Sequence, residues 1–389
     1  MIQDKNNISV FATTGNCVTP LGFNIQENIK MVLQGKSGIK NFSDEYLHNE
    51  PFVGGIIDKE KLNNAFQTLN LKGEFTDLEQ MMLLSVKSIQ PLYDAILDDK
   101  CGLIISSTKG NITSLEKGNI EQYYLSNLAD KVAKVIGVKS TPIVLSNACV
   151  SGIMAVSVAK SLIQSNVYNH LIIIGADLFS RFVFTGFQSF QAVSPNPCKP
   201  YDKNRDGITL GEAAASILVT KNKAVIQGEV YYEILGDSNI NDANHISGPS
   251  RTGEGLFQSI QKSIAEAQIS ANQIDCISAH GTATAYNDEM EAQAFNRLGL
   301  ENTPVYSLKG YFGHTLGASG LLDTVIALKS GSKNLIPQSL GYSEHGVTLP
   351  LNVTTENIFT ECNIILKTAS GFGGTNTAVI FKRHINNEK

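Results

Sequence analysis

Residues 153–164 carry Ala, Val, Ile and Leu on every side. A helix apolar over most of its surface has to be buried over most of it. The segment before it sharpens the constraint, because residues 142–145 read as a strand and Ser146-Asn147-Ala148-Cys149-Val150-Ser151-Gly152 as a sharp turn into the helix. Cys149 therefore falls at a helix N-terminus, where unpaired N–H groups and the helix dipole favour an anion and lower a thiol pKa from its free value of roughly 8.5. The same strand–turn–helix geometry serves hydrolases as a nucleophile elbow, so position names a nucleophile and not a reaction. A structural cysteine at a packed helix start fits the segment equally well.

Burying such a helix needs a large core, and 389 residues at 42% hydrophobic content supply one, or two fused domains. Short apolar runs at 103–105, 143–145, 171–174 and 217–219 read as buried strands. The theme returns at 274–278, 305–308, 363–367 and 377–381, with helical stretches at 255–267 and 290–298. The fold class is α/β, with a sheet covered on both faces in each half. The rhythm changes over near residues 223–228, which suggests a duplicated architecture of halves 1–224 and 225–389.

Net charge is −5, from 31 basic and 36 acidic residues, so there is no uniform positive field to hold nucleic acid or an anionic membrane. No apolar run spans a bilayer and no cleavable leader is visible, which gives a cytoplasmic expectation. The six cysteines show no Cys-x-x-Cys pair and no metal-ligand spacing. Neither a structural zinc site nor a disulfide framework is expected, and each cysteine is by default a small buried hydrophobe.

Partners for Cys149 come from the second half. Ser278-Ala279-His280-Gly281-Thr282-Ala283-Thr284 follows an apolar strand and precedes the acidic stretch 288–291. Lys309-Gly310-Tyr311-Phe312-Gly313-His314 follows the next strand in the same way. Either histidine alone is more often a hydrogen-bonded structural group, but two at successive strand ends point to catalysis. Ser370-Gly371-Phe372-Gly373-Gly374-Thr375-Asn376 lies between two strands and fails both the Walker and the dinucleotide spacings. It reads either as a tight hairpin turn or as an oxyanion-hole loop.

Together these motifs resemble the elongating β-ketoacyl-acyl carrier protein synthases of the thiolase superfamily, over residues 8–382. The resemblance also rests on Pro200-Tyr201-Asp202-Lys203-Asn204-Arg205-Asp206-Gly207 and Leu210-Gly211-Glu212. It implies two five-stranded mixed α/β halves, with the nucleophile helix buried between them and an edge-to-edge homodimer. Cys149 would take an acyl group from acyl carrier protein, with the Cys149 and Phe372 amides as the oxyanion hole. His280 and His314 would bind malonyl thioester and stabilise the enolate left by decarboxylation, and Lys309 would support them electrostatically. Thr282 and Thr284 match positions that bind the pantetheine arm, Phe372 an aromatic gate, and Asp242, His245 and Ser247 a mobile loop beside it. No dissociable cofactor or metal is implied, since substrates ride on the phosphopantetheine arm.

Within the superfamily, His at both places favours elongation over the Cys-His-Asn of initiating synthases and the Cys-His-Cys of thiolases. Chain-length factors lack the nucleophile cysteine that this chain has. Three departures from the pattern stand out: a shortened stretch between Gly110 and Lys131, polar Thr108-Lys109 where an apolar gate residue is common, and Asp323 where Glu is usual. They suggest a specialised acyl substrate such as an aryl polyene or polyketide-like chain, and a heterodimer with a second synthase-like chain as an alternative to the homodimer. A non-condensing partner subunit and a malonyl decarboxylase are the competing functions.

Overall fold

The computed structural model describes residues 8–87, 96–244 and 248–386. Eleven strands form the main sheet. The first half supplies β1 (Phe11–Ala12), β2 (Asn16–Val18), β3 (Cys101–Ser106), β4 (Ile143–Leu145), β5 (His170–Asp177) and β6 (Ala213–Thr220). The second supplies β7 (Val230–Asn241), β8 (Cys276–Ser278), β9 (Val305–Tyr306), β10 (Ile364–Gly371) and β11 (Thr375–Ile385). Their spatial order is β9-β8-β10-β11-β7-β1-β6-β5-β3-β4, with β2 also on β6.

If β1 and β2 are counted as one interrupted strand, each half lays out its strands from the centre in the chain order first, fifth, fourth, second, third. The pairing senses repeat as well. β3 is parallel to β4 and β5 as β8 is to β9 and β10, and the remaining neighbours are antiparallel. The five-stranded sets are not separate sheets, because β1 pairs with β7 at Phe11↔Glu233 and Ala12↔Tyr232 and makes one hydrogen-bonded path. β8 and β9 are shorter than their apolar runs, since the chain leaves each strand early to form the loops that carry His280 and Lys309.

The helices relevant here are α1 (Asp77–Lys87), α2 (Leu125–Ile136), α3 (Ser151–Gln164), α4 (Arg181–Ser189), α5 (Glu254–Ala267), α6 (Ala285–Arg297) and α7 (Ser319–Gly331). The two-residue period of the strands sorts them into layers. On β5, Leu171 and Ile173 face inward with Ile153 of α3 and Leu321 of α7, while Ile172 and Ile174 face outward with Met81 of α1 and Val132 of α2. On the other side, Ile365 and Val379 face α3 and α7, while Leu366 and Ala378 face outward with Ile260 of α5 and Phe295 of α6. α3 and α7 are thus the filling between the two sets of strands, which is why α3 is apolar over most of its surface, while its Ser157 and Lys160 meet Asp237 of β7. Among the described residues, no helix is long and apolar enough to cross a membrane.

The two central helices touch backbone to backbone. A Cβ on Gly152 would lie 2.5 Å from the Leu321 amide nitrogen, and one on Gly320 would lie 2.7 Å from that of Ile153. Gly320→Ala should therefore lower stability by about 1–3 kcal/mol in a denaturant titration, through overpacking. Gly186→Ala in α4 meets nothing within 4 Å, and should be neutral or stabilising by up to about 1 kcal/mol through helix propensity. Equal effects of the two substitutions would contradict the close crossing.

Candidate active site

Cys149 sits in the turn between β4 and α3, two residues before the helix starts at Ser151. The residue before it, Ala148, has φ +45°. That left-handed conformation is uncommon for a residue with a Cβ, and it turns the cysteine out of the strand direction. Ser151 fixes the bend, its hydroxyl donating to Ala148 O at 2.6 Å and accepting from Asn147 N at 2.8 Å.

The hairpin between β10 and β11 lies against this turn. Its positive-φ residues are Gly373 and Gly374, and the amides of Phe372 and of Cys149 itself lie near enough to the cysteine sulfur to favour its anion. The segment is therefore a tight hairpin turn and also a source of two convergent N–H donors. The Phe372 ring stacks on Phe187 of α4 with centroids 5.5 Å apart, and meets Phe190 edge-on at 5.5 Å.

His280 and His314 complete the cluster. Sγ of Cys149 and a nitrogen of each imidazole all lie within 4.8 Å of one another, and the two rings meet edge to face at 5.2 Å. Left-handed glycines beside both histidines make the bends: Gly281 at φ +43° and Gly313 at φ +72°. Each histidine is held through its backbone, which leaves its ring for other work. The amides of His280 and Gly281 donate to Glu291 at 2.8 and 2.7 Å, and that of Thr282 donates to Asp288 at 3.0 Å. These two carboxylates are three apart on α6, on one face of the helix. The amide of His314 donates to Thr209 O at 2.7 Å, and its carbonyl accepts from Gly211 N at 3.0 Å. Neither ring nitrogen of His314 has a hydrogen-bond partner.

Tyr201 ties the first half to this scaffold. Its amide donates to Asp288 at 2.7 Å and its hydroxyl to Glu291 at 2.9 Å. Burial, with Glu291 next to it, raises the Asp288 carboxyl to about 7. Burial also raises Glu291, against the pull of the Gly281 and His280 amides.

Electrostatics overturn one expectation. Burial pushes the Cys149 thiol up to about 12, opposed by Lys309 and the two amides. The sulfur is buried away from water, and desolvation of the anion outweighs the pull of the helix terminus. Both imidazoles are neutral at pH 7. Burial, then Lys309, then His314 hold His280 well below its usual value, and burial with Lys309 brings His314 down to about 3.

Lys309 is buried and paired with Asp323 of α7 at 2.8 Å. Sequence reading missed a second ammonium on the same carboxylate, that of Lys367 at 3.2 Å. It stands inside an ordinary strand pattern, so nothing in the local sequence marks it. Asp177, at the end of β5, was missed for the same reason; it accepts from Ser107, Thr108, Lys109 and Gly317.

A cavity of about 550 Å³ opens onto Cys149, His280 and His314. Phe187, Phe190 and Phe372 line one part of it, and Thr282, Thr284 and Asn376 another. Asp242 lines it too, whereas His245 and Ser247 lie outside the described residues. Thr108 is not among the lining residues, and its hydroxyl donates to Asp177 at 2.9 Å. The Cys149, His280 and His314 donor atoms also lie close enough together to be candidate ligands of a metal ion.

The N-terminal domain model of the β-ketoacyl synthase family matches residues 8–224, and its C-terminal domain model matches residues 231–343. The chain belongs to the β-ketoacyl synthase family. It is a condensing enzyme of the acyltransferase class. This synthase is 25% identical to 3-oxoacyl-acyl-carrier-protein synthase 2 of Vibrio cholerae, over 96% of this chain and 99% of that one. The corresponding synthase 2 of Coxiella burnetii is also 25% identical, over 94% and 96%. Its fold resembles that of the ketosynthase ApeO from Xenorhabdus doucetiae, solved with its chain length factor ApeC, at a TM-score of 0.84 and 24% identity over 98% of this chain and 100% of that one.

The neutral imidazoles carry a stability signature. The folded-state pKa of His314, about 3, lies below the unfolded value of about 6.5, so the unfolded chain takes up the proton first as pH falls. The contribution is complete above about pH 6.5 and is lost on the way down to about pH 3. In His314→Asn, the unfolding free energy should therefore decline less steeply between those limits than in wild type, by up to about 1.4 kcal/mol per pH unit. Identical slopes would mean that the folded protein accepts a proton on His314.

Proposed function

We propose that the synthase elongates acyl chains by decarboxylative Claisen condensation, with Cys149 as acyl acceptor and His280 and His314 as the decarboxylation pair. The observation that carries this assignment is the grouping of one thiol with two neutral imidazoles within 4.8 Å, under two amides aimed at the sulfur. Acyl transfer from a carrier thioester makes the Cys149 thioester and releases the carrier thiol. The amides of Cys149 and Phe372 donate to the oxyanion of the tetrahedral intermediate. A malonyl thioester then loses carbon dioxide, and its electron pair becomes the enolate. A neutral imidazole still has one N–H to donate, so two rings facing one oxygen stabilise the charge where it develops. The enolate carbon attacks the acyl carbonyl, and the thiolate leaves.

Acyl- and malonyl-loaded carrier proteins are the proposed partners, with the phosphopantetheine arm running past Thr282 and Thr284, whose hydroxyls lie 2.8 Å apart at the cavity wall. No further cofactor enters this scheme. A dimer is proposed, with a copy of this chain or with a second synthase-like chain; the structural relatives include one solved with a chain length factor and one with an acyl-carrier protein. The proposed acyl group is aromatic or polyene-bearing, supported by the flat walls of Phe187, Phe190 and Phe372 beside the sulfur. The intact thiol with its two donors argues against a non-condensing partner subunit.

Intact mass after incubation with acyl carriers bearing saturated, aromatic and polyene groups tests the nucleophile. Wild type should gain the acyl mass and Cys149→Ala should not. His280→Ala and His314→Ala should still be acylated, yet lose roughly 10²–10³-fold in condensation. Carbon dioxide release without chain extension in wild type would instead identify a decarboxylase.

A further inference from the structure

Lys367 is one of the largest fully enclosed side chains of the molecule, at 0% exposure. It lies on β10, opposite Ser278 at the end of β8, two residues before His280. Its ammonium donates to Ser278 O at 3.2 Å, to Ala279 O at 3.4 Å and to Thr368 O at 2.8 Å. The remaining partner is Asp323 at 3.2 Å, the same carboxylate oxygen that Lys309 meets at 2.8 Å. Two ammonium groups on one oxygen are a costly arrangement in a dry interior, because each must be desolvated and they repel one another. A methylene chain capped by a methyl group would fill the same space at lower cost, so packing does not account for the second charge.

We propose that Lys367 is a positioning residue for the decarboxylation step, its ammonium clamping the strand end that carries His280 and holding Asp323 between the two lysines behind the histidine pair. This inference rests on the reading of His280 and His314 given above. The clamp works through the backbone: the carbonyls of Ser278 and Ala279 point at the ammonium, while the next amides, His280 and Gly281, point at Glu291. The His280 bend is thus gripped from both sides by opposite charges. The ammonium also repels protons from both rings, Lys367 being among the causes that hold His280 and His314 low. Cys149 is not tied to this cluster by any direct bond to Lys367.

The charged and titratable groups around Lys367 are Asp323 on α7, Lys309 after β9, Glu291 on α6, and the two imidazoles. Burial lowers Lys367 to about 8 despite the attraction of Asp323. The ammonium is therefore present at neutral pH and lost above about pH 8. Condensation should fall over that interval, and the fall should vanish when the residue cannot titrate there.

The test uses the full-length enzyme with hexanoyl-loaded and malonyl-loaded carrier protein, from about pH 6.5 to about 9.5. Cys149 acylation is read by intact mass, and condensation by carbon dioxide and product. Lys367→Met should lower condensation at neutral pH by at least about tenfold while changing the acylation rate less than about threefold. Wild type should lose condensation above about pH 8, and neither Lys367→Met nor Lys367→Arg should show that alkaline fall, since the guanidinium keeps its charge throughout. Equal losses in both half-reactions, unchanged condensation, or an alkaline fall kept in either variant would overturn the proposal. If Lys367→Met does not fold, the profile of Lys367→Arg decides alone. A wild-type enzyme that is never acylated would remove the reading of the site, and this inference with it.

Discussion

At the centre of the molecule α3 and α7 cross at Gly152 and Gly320, so closely that a single added carbon on either would strike the other backbone. The site depends on this contact. Cys149 precedes α3 by two residues and His314 precedes α7 by five, so the distance between thiol and imidazole is set by how near the helices come. Strands on both sides keep the helices there, with Leu171 and Ile173 from one set and Ile365 and Val379 from the other packing into the same interior. Precision at the reacting atoms is thus inherited from rigid elements, while only short bends at Ala148, Gly281 and Gly313 do the aiming.

Around that frame several buried charges hold backbone, while Lys309 and Asp323 hold each other. Glu291 and Asp288 gather the amides of the His280 loop, Asp177 gathers those of residues 108, 109 and 317, and Lys367 gathers carbonyls. Burial opposes every one of these ions, and hydrogen bonds offset that cost. The rings of the two histidines are spared such bonds and stay uncharged. A neutral donor in a dry pocket of positive potential suits an anion that exists only during reaction.

The strands and central helices were legible because burial on both faces leaves unbroken apolar runs, as at 171–174 and 217–219. Cys149, His280, His314 and Phe372 were legible because each sits in a bend directly after or between strands, a glycine-rich one in all but Cys149. What was not legible came from contacts distant in sequence. Lys367 looks like a strand residue until β8 and α7 are placed beside it, and Thr108 looks like a pocket residue until Asp177 takes its hydroxyl. The reversal of the Cys149 expectation has the same origin: a helix terminus can be read from local sequence, whereas exclusion of water is a property of the whole packing. Whether 1–224 and 225–389 are separable halves was suggested by rhythm alone, and the repeated strand order runs across a continuous sheet.

Phe372 places two different parts of one residue at one point in space. Its ring lies between Phe187 and Phe190 in the cavity wall, and its amide points at the sulfur of Cys149. A displacement of the hairpin backbone would carry ring and amide together, whereas a turn of the side chain alone would move only the ring. Under the roles proposed for Phe372, a hairpin swing that cleared the wall for a long chain would also withdraw a donor from the oxyanion position, and the return swing would restore it. Passage and bond-making would thereby be interlocked: the pocket would have its full electrostatic complement only with its aromatic wall shut behind the cargo.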